Sequence, residues 1–354
     1  MPQEMRCGLR VAGCGSAGRT AASLRAFLRL GTLLLLVLGS LPEATAIGGE
    51  LPRFLVVHGL GEDHPVHRGA ERFREMLAGV ARVETAARWD DVEAVRALLA
   101  GQVDAAVVSP VALRDVVRAV MLLDLIGLWR DRGHWERAMD GEPGRQLAAM
   151  AERTPQTGGN SIRILGYWGG TRRHLLTRRQ GVPTVEALAA LRLGIPINPI
   201  RSKMWRAIGV RPVLLPSGDA PAALRDGTVE GVEEEAEAIL RDRLFEAAPH
   251  LTETGHAIAT RLLVVAAPAW NRFTRAQQAN LTAATRDATT LARSLEAQRE
   301  AEALAALRDR SGVTLHEFTA RDALMARTRP ARTRYADELG IPGLVAPIEK
   351  LATP

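Results

Sequence analysis

Apolar positions along this chain fall into two spacings, short continuous runs and stripes of period near 3.6, and the two alternate. Phe54-Leu55-Val56-Val57-His58 reads as a buried first strand. After a loop from Gly59 to His64, Pro65 is placed to start a helix whose apolar side is Val66, Phe73, Met76 and Leu77. Val83 to Ala86 is a weaker strand, and Asp90 or Asp91 caps a helix through Val95 and Leu99 that Gly101 ends. Val103 to Val108 is the next strand, closed by Ser109-Pro110. An apolar stretch from Val116 to Leu128 leads to Trp129 and to one predicted helix from His134 to Met150. A polar loop at Gln156 to Asn160 precedes a new strand at Ile162 to Gly166. From Gly166 to Glu237 the alternation resumes, with helices expected near 185–191, 202–208 and 221–226. Ala257 to Ala267 is a long β-type run. The clearest helix follows: Thr274 with Gln277 forms a capping box, and Leu281, Ala284, Ala288, Leu291 and Leu295 make a stripe that Leu304 and Leu307 join before Gly312. At ~1.5 Å per residue it reaches roughly 55 Å, longer than one lobe of this size.

One piece of the pattern occurs twice. Leu98, Gly101, Val103 and Asp104 recur 126 residues later as Leu224, Gly227, Val229 and Glu230. Two related α/β halves imply two lobes with a cleft between them, braced by the long helix. The polar and aromatic residues at the strand ends lie where open α/β sheets hold ligands. The expected division is 47–165 with 257–295 for lobe I, and 166–256 with 296–354 for lobe II.

The first 46 residues change the charge picture. Arg6, Arg10, Arg19, Arg25 and Arg29 precede an apolar run from Leu30 to Leu41, and Pro42 and Ala44-Thr45-Ala46 follow. This is the layout of a secretory signal peptide cleaved after Ala46, and the apolar run is shorter than the ~20 residues that span a bilayer. Of the formal charge of +6, only +3 remains beyond it, 41 basic against 38 acidic residues. That leaves no electrostatic footprint for nucleic acid. Both cysteines, Cys7 and Cys14, lie in the segment, so thiol catalysis and cysteine metal sites drop out.

Six stretches together resemble a known family. They are His64 to Phe73, Asp140-Gly141-Glu142-Pro143-Gly144, Gly169-Gly170-Thr171-Arg172-Arg173-His174-Leu175-Leu176-Thr177, Trp205-Arg206-Ala207-Ile208-Gly209, Ala223 to Gly227, and Glu230-Gly231-Val232-Glu233. In order and spacing the chain resembles the DctP-type solute-binding proteins of TRAP (tripartite ATP-independent periplasmic) transporters. The resemblance implies an α/β, two-lobed periplasmic binding protein fold that closes on a small organic acid. It also implies delivery to the TRAP membrane permease subunits from the periplasm, with a monomer, no cofactor and no catalysis expected.

The resemblance also locates candidate contacts. The family's carboxylate-binding arginine falls on Gly194, and a ligand-contacting asparagine falls on Glu234. Both departures make the site more negative. Arg172 or Arg173, at the position of a second family arginine, or Arg192 are the cations available to stand in; otherwise the solute is neutral or cationic, with Glu233, Glu234 or Glu235 as partner. Ser109 at the end of a strand, Trp168 before the glycine pair, and Asn198 and Trp205 following the altered strand are further candidates. Gly-x-Ser-x-Gly is absent, and the spacing of His58, His64 and His67 fits no metal-ligand pattern. A non-transporting sensor on the same fold is the remaining alternative.

Overall fold

A computed structural model of the protein describes residues 50–154, 161–189 and 191–352. The expected signal peptide and the 156–160 loop lie outside the described residues. In chain order the elements begin with β1 (Arg53–His58), α1 (Pro65–Met76), β2 (Arg82–Ala86), α2 (Asp91–Leu99) and β3 (Ala105–Val108). Next come α3 (Arg132–Asp140), α4 (Glu142–Arg153), β4 (Ile162–Thr177), α5 (Val185–Leu188), β5 (Arg192–Pro196), α6 (Pro199–Ala207) and β6 (Arg211–Leu215). The remainder is α7 (Ala220–Asp226), β7 (Gly231–Glu235), α8 (Ala236–Arg241), β8 (His250–Ala266), α9 (Ala267–Asn271), α10 (Arg275–Arg308), β9 (Thr314–His316), α11 (Arg321–Glu338) and α12 (Pro342–Lys350).

The strands run in the order β2-β1-β3-β8-β4-β7-β5-β6, with β9 beside β8. β1 is parallel to β2 and β3, and β5 is parallel to β6 and β7. Between these triplets lie the 16-residue β4 and the 17-residue β8, antiparallel to each other. The far end of β8 takes up β3, and the far end of β4 takes up β7. The two lobes are thus two ends of one sheet, joined by strands long enough to belong to both. The 126-residue repeat has a structural counterpart at this level. Gly101 and Gly227 both adopt positive φ after a helix, a conformation glycine reaches without a Cβ penalty. Two strands share a further device: the Asp104 carboxylate accepts from the Leu55 amide on β1 (2.7 Å), and the Glu230 carboxylate accepts from the Arg192 amide on β5 (2.9 Å).

The helix α10 has 34 residues, about 51 Å at ~1.5 Å each, and the Thr274–Gln277 capping box is present. It packs against α1 in one lobe and α8 in the other. Its buried face is not the simple apolar stripe expected. Leu291 and Leu295 are only half-buried, and Ala292, Arg293, Glu296 and Glu300 turn inward instead. The middle of the helix crosses the strands where they carry polar groups. There Arg293 donates to both carboxylate oxygens of Asp140 (2.8 and 3.0 Å) and to the Tyr167 carbonyl (2.8 Å).

The helix predicted from His134 to Met150 is two helices, divided at Gly141. A Cβ on Gly144 would lie 1.9 Å from the Met139 carbonyl oxygen, so the turn between them tolerates no side chain there. Pro143 supplies a preset φ and no amide at the start of α4. No helix among the described residues is long and apolar enough to cross a membrane.

Candidate solute-binding cleft

A cavity of about 820 Å³ opens at the strand ends between the lobes, within the usual size range for small-molecule sites. Ser109 after β3, Asp91 at the start of α2 and His64 before α1 line one side. Gly194 to Asn198, from the second half of β5 into the turn before α6, and Glu233 to Glu235 on β7 line the other, and Arg173 on β4 and Arg261 on β8 also border it.

One wall rests on a buried ionic network. Arg201, in the first turn of α6, donates to Asp124 Oδ1 (2.7 Å) and to Glu233 Oε1 (3.1 Å). Asn198 caps α6 by accepting from the Arg201 amide (3.0 Å), while its Nδ2 donates to Asp124 Oδ2 (2.8 Å). The other Glu233 oxygen accepts from Trp205 Nε1 (2.9 Å) and lies 2.9 Å from His256 Nε2. Burial alone would push the Glu233 carboxyl up; the Arg201 charge and the histidine contact outweigh it and hold it well below the usual carboxylate range. Burial takes His256 down to about 4 despite Glu233, so the ring is neutral at neutral pH. A neutral ring that donates from Nε2 to Glu233 accepts at Nδ1 from the Thr254 hydroxyl, 2.8 Å away.

The second ionic group straddles β4 and β7. Arg173 Nη1 donates to Glu234 Oε2 and to the Glu233 carbonyl, both at 3.3 Å, and Nη2 lies 3.6 Å from Glu235. Its Nε is buried without a hydrogen-bond partner. Glu235 also accepts from the Thr171 hydroxyl. Burial raises both carboxyls, but Glu235 ends below its ordinary value through Arg173 and Arg261, whereas Glu234 ends above it.

Arg261 forms the third group with His64 and Glu296. It makes no hydrogen bond or ion pair within 4 Å among the described residues, although its charge reaches Glu235 and Glu296. His64 Nδ1 accepts from the Val66 amide (3.2 Å), and burial lowers the ring to about 3. Burial, aided by the Glu235 charge, pushes the Glu296 carboxyl up from 4.5 to about 7. The folded form therefore keeps this proton at higher pH than the unfolded chain, and stability declines as pH rises across that interval. Glu296→Gln should raise stability at pH 8 by up to about 3 kcal/mol and leave pH 4 unchanged. Thermal unfolding followed across that range measures it; an effect that does not vary with pH would contradict the assignment.

Residues 56–336 match the family model described as bacterial extracellular solute-binding protein, family 7, the DctP family. The chain belongs to this family. It is similar to a solute-binding protein of Sulfitobacter sp. (strain NAS-14.1), 27% identical over 243 residues, 69% of this chain and 72% of that protein. It is 22% identical over 332 residues to the C4-dicarboxylate-binding periplasmic protein DctP of Rhodobacter capsulatus, covering 88% and 96% of the two chains. A crystal structure of a TRAP periplasmic solute-binding protein from Sulfitobacter sp. NAS-14.1 with bound β-D-galacturonate shares the fold, with a TM-score of 0.71, 22% identity and coverage of 84% and 99%.

Within this DctP-type protein, the cleft gathers Arg173, Glu234, Ser109, Gly194 and Asn198. Three other candidates face elsewhere. Trp168 is buried against α10, donating to the Thr289 hydroxyl (2.8 Å), because its place on β4 points it into the core. Arg172 alternates to the other face from Arg173 and pairs with Glu300 at 2.7 Å. Trp205 stands behind the cavity as a donor to Glu233. Arg192, the other proposed stand-in, sits at the beginning of β5 beside Glu230, away from the cavity. At Gly194 a Cβ would come 2.5 Å from Leu215 Cδ1 and 3.1 Å from Val232 Cγ1, so apolar side chains occupy the space into which an arginine would leave the strand. Arg201, Arg261, Asp124, His256 and Glu296 escape sequence reasoning, since each is a single titratable residue outside any recognisable spacing.

Proposed function

We propose that this protein captures a small organic acid in the cleft outside the cytoplasm and delivers it to TRAP permease subunits in the membrane. The observation that carries the reading is Arg261: a cavity-lining guanidinium that no carboxylate of the described residues neutralises at contact distance. A guanidinium matches a carboxylate as a planar, two-pronged donor, and such contacts strengthen when water is expelled. The other two deep arginines, Arg173 and Arg201, are already held by two carboxylates each. The binding of galacturonate by the Sulfitobacter protein makes hydroxylated acids of that size reasonable first probes.

Lobe I would comprise 47–165 and 257–295 and lobe II 166–256 and 296–354, with β4 and β8 flexing between them. A solute touching both lobes favours the closed form only by its differential contacts. The family is one of binding proteins rather than enzymes, and nothing in the proposed cycle requires bond making.

The test is a thermal-shift screen of the purified protein against hydroxy acids, uronates, amino acids and uncharged sugars, with calorimetry on the hits. Stabilisation by members of the carboxylate-bearing classes supports the reading. Stabilisation by uncharged sugars alone would overturn it.

A further inference from the structure

The cleft has too few cations for a simple acid. Among the described residues, nine carboxylate side chains line it against six arginines. The excess is local as well as overall, because Arg201 sits between Asp124 and Glu233 and Arg173 between Glu234 and Glu235. Each of these two arginines is therefore outnumbered two to one by its carboxylates. Carboxylates in a water-poor cleft are costly unless compensated. Adding a purely anionic solute would increase the imbalance, with Arg261 the buried-side guanidinium not already held by carboxylates at contact distance.

Among the four carboxylates, Glu234 is the least well compensated. Its side chain has one cationic contact, at 3.3 Å, and a local bond from the Glu235 amide at 3.1 Å. Asp124 and Glu233 instead receive charge-assisted bonds on one oxygen and neutral donors on the other. Glu235 has the Thr171 hydroxyl in addition to Arg173. Glu234 also borders the cavity, unlike Glu300, whose charge is consumed on the other face by Arg132 and Arg172. The upward displacement of the Glu234 carboxyl has the same origin, since burial there outweighs the attraction of Arg173.

We infer that the solute is a zwitterion, an acid that also carries an ammonium group, with Arg261 reading its carboxylate and Glu234 its cation. This deepens the reading of the cleft as an organic-acid site and rests on it. Glu234 is the specificity-determining residue: it separates amino-substituted acids from their hydroxy counterparts. A cation beside it offsets part of the carboxylate excess that the protein's own arginines leave uncompensated, while the acid group of the same solute meets Arg261.

Matched pairs decide the matter. The probes are D-gluconate with 2-amino-2-deoxy-D-gluconate, lactate with alanine, and malate with aspartate, titrated calorimetrically into the purified protein and into Glu234→Gln and Glu234→Asp. In at least one pair the amino member should bind tenfold or more tightly than the hydroxy member. Glu234→Gln should bring the pair to near parity, and Glu234→Asp should retain the preference. Hydroxy members that bind as well as or better than amino members would overturn the inference and leave the organic-acid reading standing. A preference that survives Glu234→Gln would also overturn the role of this residue. If no acid of either kind binds, both readings fall together. The wild-type comparison is decisive even where a variant does not fold.

Discussion

Arg201→Leu is expected to lower the stability of the protein by about 3–5 kcal/mol, the usual cost of removing one partner from a buried ionic group. Asp124 and Glu233 are 6% and 1% exposed, and both depend on this guanidinium. Without it two carboxylates face each other in the interior with only neutral donors remaining. Leucine restores some apolar contact but supplies no charge, so the loss is electrostatic. It should therefore depend on pH. In the wild type Glu233 titrates well below its unfolded value of 4.5, so its contribution is complete above that value and is lost as pH falls through the folded one. In the variant the carboxylates protonate more readily, and the deficit should shrink in acid. Urea unfolding at pH 7 and pH 4 measures both parts. Adding Asp124→Asn and Glu233→Gln to the variant should recover much of the loss, because neutral groups replace the unpaired charges. A deficit under 1 kcal/mol at pH 7 would mean that the network contributes little.

The second large effect is on binding. Arg261→Ala should weaken carboxylate solutes about ten- to a hundredfold, since a hydrogen bond to a charged group is worth roughly 1.5–3 kcal/mol and each 1.4 kcal/mol is tenfold. The fold should suffer far less than in the Arg201 variant, because Arg261 makes no hydrogen bond or contact ion pair among the described residues. Its charge does oppose the upward displacement of Glu296, so a modest destabilisation near neutral pH is expected. Arg261→Lys should bind at an intermediate level: the charge is kept and the two-pronged geometry is lost. Calorimetry with a solute from the screen, beside thermal unfolding of the free protein, separates the two readouts. Unchanged affinity in the alanine variant would remove Arg261 from the site.

The elements closest to the functional site illustrate how far pattern reading reaches. The His64-Pro65 helix start, the Asp90 cap and the Thr274–Gln277 box are all local, and each stands where its residues predict. The 126-residue repeat proved informative for the same reason, since a helix end, a left-handed glycine and a strand need only near neighbours. Reading failed at the middle of α10, where Arg293, Glu296 and Glu300 are buried. Periodicity treats charged residues as solvent-facing, and it has no means of seeing that Asp140, Arg132 and Arg172 wait across the interface.

Alone, the amino-acid sequence determined the fold class, the twofold repetition, the bracing helix and the family, because these rest on periodicity, caps and the order of short motifs. It also marked Gly194 and Glu234 as departures toward negative charge. Which cations answer them was decided only by the tertiary structure. Arg201 and Arg261 lie 60 residues apart and are brought to one cavity by different elements, α6 and β8. Whether a charge is consumed or left available depends on neighbours within a few ångströms, and sequence distance carries no record of those.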